Sequence, residues 1–275
     1  MLETAETVDI RLHAADLLEK LPHTVPHRTG NWTEESVLRE EKMRAFLTNY
    51  EKGMSNVKKG ERRAKTARKE QILSHKLVYD ANIMLKNGHT QSHLSADIPD
   101  SFPDNITPST TLALTTCATE TSPTARSCFQ LVKLDAHGNT GESVPRFGER
   151  FYMVVTSDLV DAPMYLTSEP KSFLYYAKLS KDQAVYLTFN RDYRSVWQFD
   201  FPDPNFRLEM EGQDVAPNTP VLIKHCNTGN YLSSDKKYGL RTDFGVEWEV
   251  ACHTYKDYGT RLELDQNHWL LRVSE

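Results

Sequence analysis

The chain has 275 residues, 26% of them charged and 39% hydrophobic, which suits one large globular domain or one domain with an appended arm. A formal net charge of −5 excludes a general nucleic-acid binder, whose domain would be strongly basic. No apolar run approaches the ~18 residues that span a bilayer, so a membrane is not an expected partner.

Residues 1–27 read as an extension, poorly ordered or bound to a partner. Ile10, Leu12, Leu17, Leu18 and Leu21 suit a short amphipathic turn or two, which Pro22 and Pro26 break. The first ten residues hold three acids and no apolar core, so no secretory signal is expected. Cys117, Cys128, Cys226 and Cys252 are therefore expected as reduced thiols on the cytosolic side of membranes.

Residues 28–75 read as a helical and basic arm. Thr33 can cap free backbone N–H groups, and Glu34 and Glu35 suit the positive end of the helix dipole. Met43, Phe46, Leu47 and Tyr50 recur at helical spacing as one apolar stripe, and Gly53 is a plausible stop. Trp32, just ahead of the cap, is either a staple onto the following domain or an anchor in a partner. Residues 57–69 then carry Lys58, Lys59, Arg62, Arg63, Lys65, Arg68 and Lys69 against Glu61 alone. Such a stretch is either a solvated linker or a dock for an acidic protein surface. It lacks the interleaved aromatics that would stack on bases.

Residues 76–275 read as all-β. Short apolar runs separated by turn residues are strand-sized, among them Ile83-Met84-Leu85, 151–155, 185–189, Val221-Leu222-Ile223 and 270–273. A repeat runs through them. Leu94-Ser95-Ala96-Asp97, Leu166-Thr167-Ser168-Glu169 and Leu232-Ser233-Ser234-Asp235 each follow an apolar strand after a polar loop. Each precedes an aromatic in an aromatic–polar–apolar triplet, namely Phe129-Gln130-Leu131, Trp197-Gln198-Phe199 and Trp248-Glu249-Val250. Three copies fit a β-trefoil whose three aromatics fill the core near a pseudo-threefold axis. An irregular β-sandwich is the other reading.

Chemistry-bearing motifs are sparse. His225-Cys226 and Cys252-His253 hold the ligand types for zinc, or for a Cys/His dyad. Neighbouring strand residues face opposite sides, so at most one of each pair can reach a shared site. Phosphate-cradling glycine loops are absent from the sequence. The expectation is a non-enzymatic protein without metal or cofactor.

Several blocks together resemble the cilia- and flagella-associated protein 161 family. They include Gly30-Asn31-Trp32, Phe201-Pro202-Asp203-Pro204, Arg207-Leu208-Glu209 and Val221-Leu222-Ile223-Lys224-His225. Asp243-Phe244-Gly245, His253-Thr254-Tyr255 and Asn267-His268-Trp269 complete the likeness, which runs from about 28 to 272. The run from His225 to Ser233 is also similar to the MIR type of trefoil. The resemblance implies a structural microtubule inner protein in the A-tubule lumen of axonemal doublets of motile cilia. Its partners would be alpha/beta-tubulin and other microtubule inner proteins, and no nucleic acid or membrane. Trp32, Phe46, Lys58, Lys59, Arg62, Arg63 and Arg68 are then the expected contact residues. The alternative is a cytosolic MIR-like module that binds a ligand or peptide.

Overall fold

The computed structural model describes residues 32–51, 67–97, 111–118, 122–134, 143–155, 162–173, 175–242 and 244–274, with side chains 37–48 in the first span. The extension 1–27 lies outside the described residues. The chain divides into two units, Met1–Ser55 and Asn56–Glu275.

Among its described residues the first unit contains one helix, α1 (Trp32–Glu51). It matches the helix expected after Gly30, except that Trp32 is its first residue rather than lying ahead of a Thr33 cap. Met43 and Phe46 on the expected stripe are half-buried, while Leu47 is exposed.

The second unit is a β body, as expected. Its strands are β1 (Asn82–Asn87), β2 (His93–Asp97), β3 (Thr111–Cys117), β4 (Phe129–Lys133), β5 (Arg150–Val155) and β6 (Met164–Ser168). They continue as β7 (Gln183–Thr188), β8 (Val196–Asp200), β9 (Pro220–His225), β10 (Leu232–Thr242), β11 (Gly245–Cys252) and β12 (His268–Arg272). A single helical turn, α2 (Arg207–Met210), joins β8 to β9.

The pairing has a threefold pattern. Six strands close a ring of antiparallel neighbours, β1–β4–β5–β8–β9–β12 and back to β1. The other six form three hairpins, β2–β3, β6–β7 and β10–β11. Their second strands meet in a triangle, β3 with β7, β7 with β11 and β11 with β3. No ring strand is left with a bare edge, because closure satisfies every neighbour.

Alternation places one face of each strand in the core. Ile83 and Leu85, Phe151 and Met153, and Val221 and Ile223 occupy corresponding positions on β1, β5 and β9, all with essentially no exposure. Phe129 and Leu131, Trp197 and Phe199, and Trp269 and Leu271 do the same on β4, β8 and β12. The leading leucines of the three tetrapeptides, Leu94, Leu166 and Leu232, are all buried.

The third core aromatic is therefore Trp269, not Trp248. Trp248 lies on β11, opposite Thr116, and is half-buried. The indole N–H of Trp197 donates to the Leu166 carbonyl at 2.8 Å, and that of Trp269 donates to the Leu232 carbonyl at 3.0 Å. The same bond ties the same two elements in two units. Burying an indole without it would leave a costly unpaired donor. Phe129 fills the equivalent place without a polar atom to satisfy.

The body also begins earlier than residue 76. Ala67 is fully buried, and Gln71 N donates to Pro123 O at 2.9 Å. Ala125 N donates to Lys69 O at 2.8 Å and Arg126 N to Ala67 O at 3.2 Å. Residues 67–71 thus lie alongside 123–126 as part of the body.

Candidate interaction surface

Of the expected contact residues, Trp32 and Phe46 lie on α1, with Phe46 half-buried. Lys58, Lys59, Arg62 and Arg63 fall outside the described residues. Arg68 is exposed at the edge of the body, its guanidinium 5.6 Å from the centre of the Phe244 ring. Arg126 approaches the same ring at 3.8 Å. A cation over an aromatic face is attracted by the ring quadrupole.

Arg126 is itself wholly buried, and so is its partner Glu247. One guanidinium nitrogen donates to both carboxylate oxygens, at 2.8 and 3.1 Å, and Arg126 Nε donates to the Ala96 carbonyl at 3.0 Å. Thr115 Oγ1 donates to the second Glu247 oxygen at 2.5 Å. Such a pair is tolerated inside only because these bonds replace the lost water. It joins β11 to the loop that holds residues 67–71.

The histidine and cysteine pairs have other partners. His225 is buried, with Nε2 2.9 Å from the Arg194 carbonyl and Nδ1 2.9 Å from Thr228 Oγ1. A carbonyl can only accept, so Nε2 carries the proton. Nδ1 of the neutral ring then accepts from the threonine hydroxyl. Burial lowers the His225 pKa, and the Arg194 carbonyl opposes that shift. Burial pushes the Cys252 thiol up to about 12 and raises Cys226 as well. Both are thiols at neutral pH, whereas ligation and attack need the thiolate. His253 lies 3.2 Å from Asp182 and packs on Tyr255. Among the described residues, no three His, Cys, Asp or Glu side chains gather as a metal-binding group.

The segment the sequence reading passed over joins β6 to β7. Residues 169–173 and 175–182, together the described part of the loop 169–182, leave the triangle of hairpins with Phe173 94% exposed, Tyr175 58% and Leu179 43%, and Tyr176 also exposed. Lys171, Lys178 and Lys181 lie among them, all exposed. In the sequence the segment shows aromatics interleaved with lysines, alongside the turn residues Pro170 and Ser172.

Residues 104–274 match the profile described as a cilia- and flagella-associated protein 161-like domain. A cilia- and flagella-associated protein 161 from Bos taurus is 34% identical over 259 residues, spanning 89% of this chain and 80% of that protein. The chain belongs to this family. The cilia- and flagella-associated protein 161 of Danio rerio is 30% identical over 264 residues, 90% of this chain and 86% of the relative. Among solved structures, the SDF2-like protein from Arabidopsis thaliana superposes with a TM-score of 0.52 at 16% identity, covering 71% of this chain and 94% of that one. At that identity the likeness concerns the fold alone. Membership of the cilia- and flagella-associated protein 161 family spans both the helix and the body, since the bovine and zebrafish relatives align over about nine-tenths of the chain.

Proposed function

We propose that this chain is a structural microtubule inner protein of ciliary and flagellar doublets, held on alpha/beta-tubulin in the A-tubule lumen together with other inner proteins. The observation that carries the reading is family membership across 89% of the chain, which places the protein in the cilium or flagellum. Its body is read as a MIR-like β-trefoil. The closed ring of six strands, the triangle of three hairpins and the likeness to the SDF2-like protein support that reading.

A non-enzymatic role is supported by what the reactive side chains do. His225 spends both ring nitrogens on Arg194 and Thr228, and Cys252 is held as a thiol within the core. On this reading Trp32 and Phe46 of α1 are contacts with the partner. On the same reading Lys58, Lys59, Arg62, Arg63 and Arg68 supply the charge that an acidic partner surface would meet.

Cryo-electron microscopy of doublets from cilia with and without the chain tests this. A body-sized density inside the A-tubule should be present in the first and missing in the second. Complete release of the chain with the detergent-soluble fraction, and no difference in luminal density, would overturn it.

A further inference from the structure

We propose that the loop 169–182 is a preformed docking site on the body for an acidic protein surface with an apolar recess. The proposal rests on the doublet reading above and names a contact face separate from the N-terminal arm.

The loop is built rather than slack. Both oxygens of Glu249, on β11, accept backbone N–H groups, from Leu179 at 2.9 Å and from Ser180 at 2.8 Å. Charge-assisted bonds of this kind are about twice as strong as neutral ones. Ser172 N donates to Tyr175 O at 3.0 Å, and Tyr175 N donates back to Ser172 Oγ at 3.1 Å. Ala177 is buried and bonds to Asp182 O at 2.9 Å, and Lys181 N returns to Ala177 O at 3.2 Å. Lys181 takes a positive φ of 60° to close that turn, a conformation that a β-carbon disfavours.

This bracing holds apolar surface out in water. By contrast, the corresponding turn in the third hairpin is tight, with Thr242 paired directly to Gly245. Folding gains nothing from presenting Phe173, Tyr175 and Leu179 outward, since each buried square ångström of such surface is worth about 25 cal/mol. Clustered exposed aromatics of this sort mark interaction sites. A loop already fixed in its bound shape loses little entropy on docking.

The partner's charge follows from the surroundings. Lys171, Lys178 and Lys181 project from the loop, with the Lys181 ammonium 4.7 Å from the centre of the Tyr176 ring. The neighbouring carboxylates are engaged. Glu249 holds the two amides, Asp182 faces His253, and Glu169 binds Arg194 and Tyr186. The charged side chains that the loop itself leaves exposed are thus the three lysines, set among the aromatics in a chain of net charge −5, and they suit an acidic partner.

The test uses the full chain on doublets isolated from cilia that lack it, read as binding against salt. Two variants separate the components: Lys171→Glu with Lys178→Glu, and Phe173→Ser with Tyr175→Ser. Each should weaken binding about tenfold or more, as loss of central contacts does. The charge variant should also show a shallower salt dependence. Thermal midpoints should stay at the wild-type value, because every replaced side chain is exposed. Wild-type binding with both variants unchanged overturns the docking site and leaves the doublet reading intact. Failure of the wild type to bind doublets overturns both. Binding of the wild type, and not the variants, to phosphatidylserine vesicles but not to doublets makes the loop a membrane-facing surface and overturns the proposal.

Discussion

Helix α1 and the β body handle apolar side chains in opposite ways. In the body, Trp197, Trp269, Phe151 and Phe199 have no exposure at all, and the ring that encloses them is closed by its own hydrogen bonds. In the helix, Val37, Leu38 and Leu47 are largely exposed, and Met43 and Phe46 are only half-covered. A lone helix of this length is marginal in water, since most helical stability comes from packing one face on something else. The body carries its stability within itself.

Core truncation would break that comparison most sharply. Replacing Trp197 or Trp269 by alanine should cost about 3–5 kcal/mol in urea unfolding, because each leaves a cavity and a carbonyl without its indole donor. Trp248→Ala should cost clearly less, as its side chain is half-buried. Phe46→Ala on α1 should leave the body's unfolding midpoint where it is. Equal losses at Trp248 and Trp269 would contradict the assignment of Trp269 to the core position.

The buried ion pair comes next. Arg126→Met alone should cost roughly 3 kcal/mol, because Glu247 is left charged and buried without its partner. Adding Glu247→Leu should restore most of the loss, since well-packed apolar replacements of a buried pair are often neutral. A double variant as unstable as the single one would mean that the pair is needed for the local geometry rather than for charge balance.

Truncations locate the boundary between the two regions. A chain lacking residues 1–55 should unfold at nearly the full-length midpoint. A chain lacking residues 1–72 should lose about 2–3 kcal/mol, since the three backbone bonds from 67–71 to 123–126 go with it at about 1 kcal/mol each. Identical midpoints for the two would place the edge of the body after residue 72.

Acidification separates the regions more gently. Burial holds the folded-state pKa of His225 below its ordinary value of 6.5. The unfolded chain therefore takes up a proton there first, so this stabilisation is full above about pH 6.5 and is lost as pH falls through the folded value. In urea titrations between pH 7.5 and 5, His225→Gln should flatten part of the decline. An unchanged slope would assign the decline to other groups.

The smallest effect on stability is expected in the arm. Exchanging Lys58, Lys59, Arg62, Arg63 and Arg68 for glutamate should leave the circular dichroism spectrum and midpoint nearly unaltered, as exposed pairs contribute about 0–1 kcal/mol. The same variant should leave axonemes at lower salt than the wild type. Equal retention would make the loop 169–182 the sole basic contact.

Much of the body was legible in the residues themselves. Strand-sized apolar runs located β1, β5 and β9, and the three tetrapeptides fell on β2, β6 and β10, because a strand with one buried face must alternate. Phe129 and Trp197 were found as core aromatics from the same spacing. The third was misplaced because Trp248 opens an aromatic–polar–apolar triplet like the other two, and alternation shows which way a side chain faces without showing which strand closes the ring. The loop 169–182 escaped notice for a related reason. Its exposure depends on Glu249, which stands far along the chain.

The sequence by itself thus determined a mainly β body behind a helix, the threefold spacing of its strands and the family. Local periodicity and rare residue blocks carry those. Only the tertiary structure decided that Trp269 completes the core, that residues 67–71 belong to the body and that Arg126 and Glu247 are buried together. Arg126 and Glu247 lie 121 residues apart and would each be expected at the surface. Ring closure removes the water from both at once, and the charge of each is what makes the burial of the other tolerable.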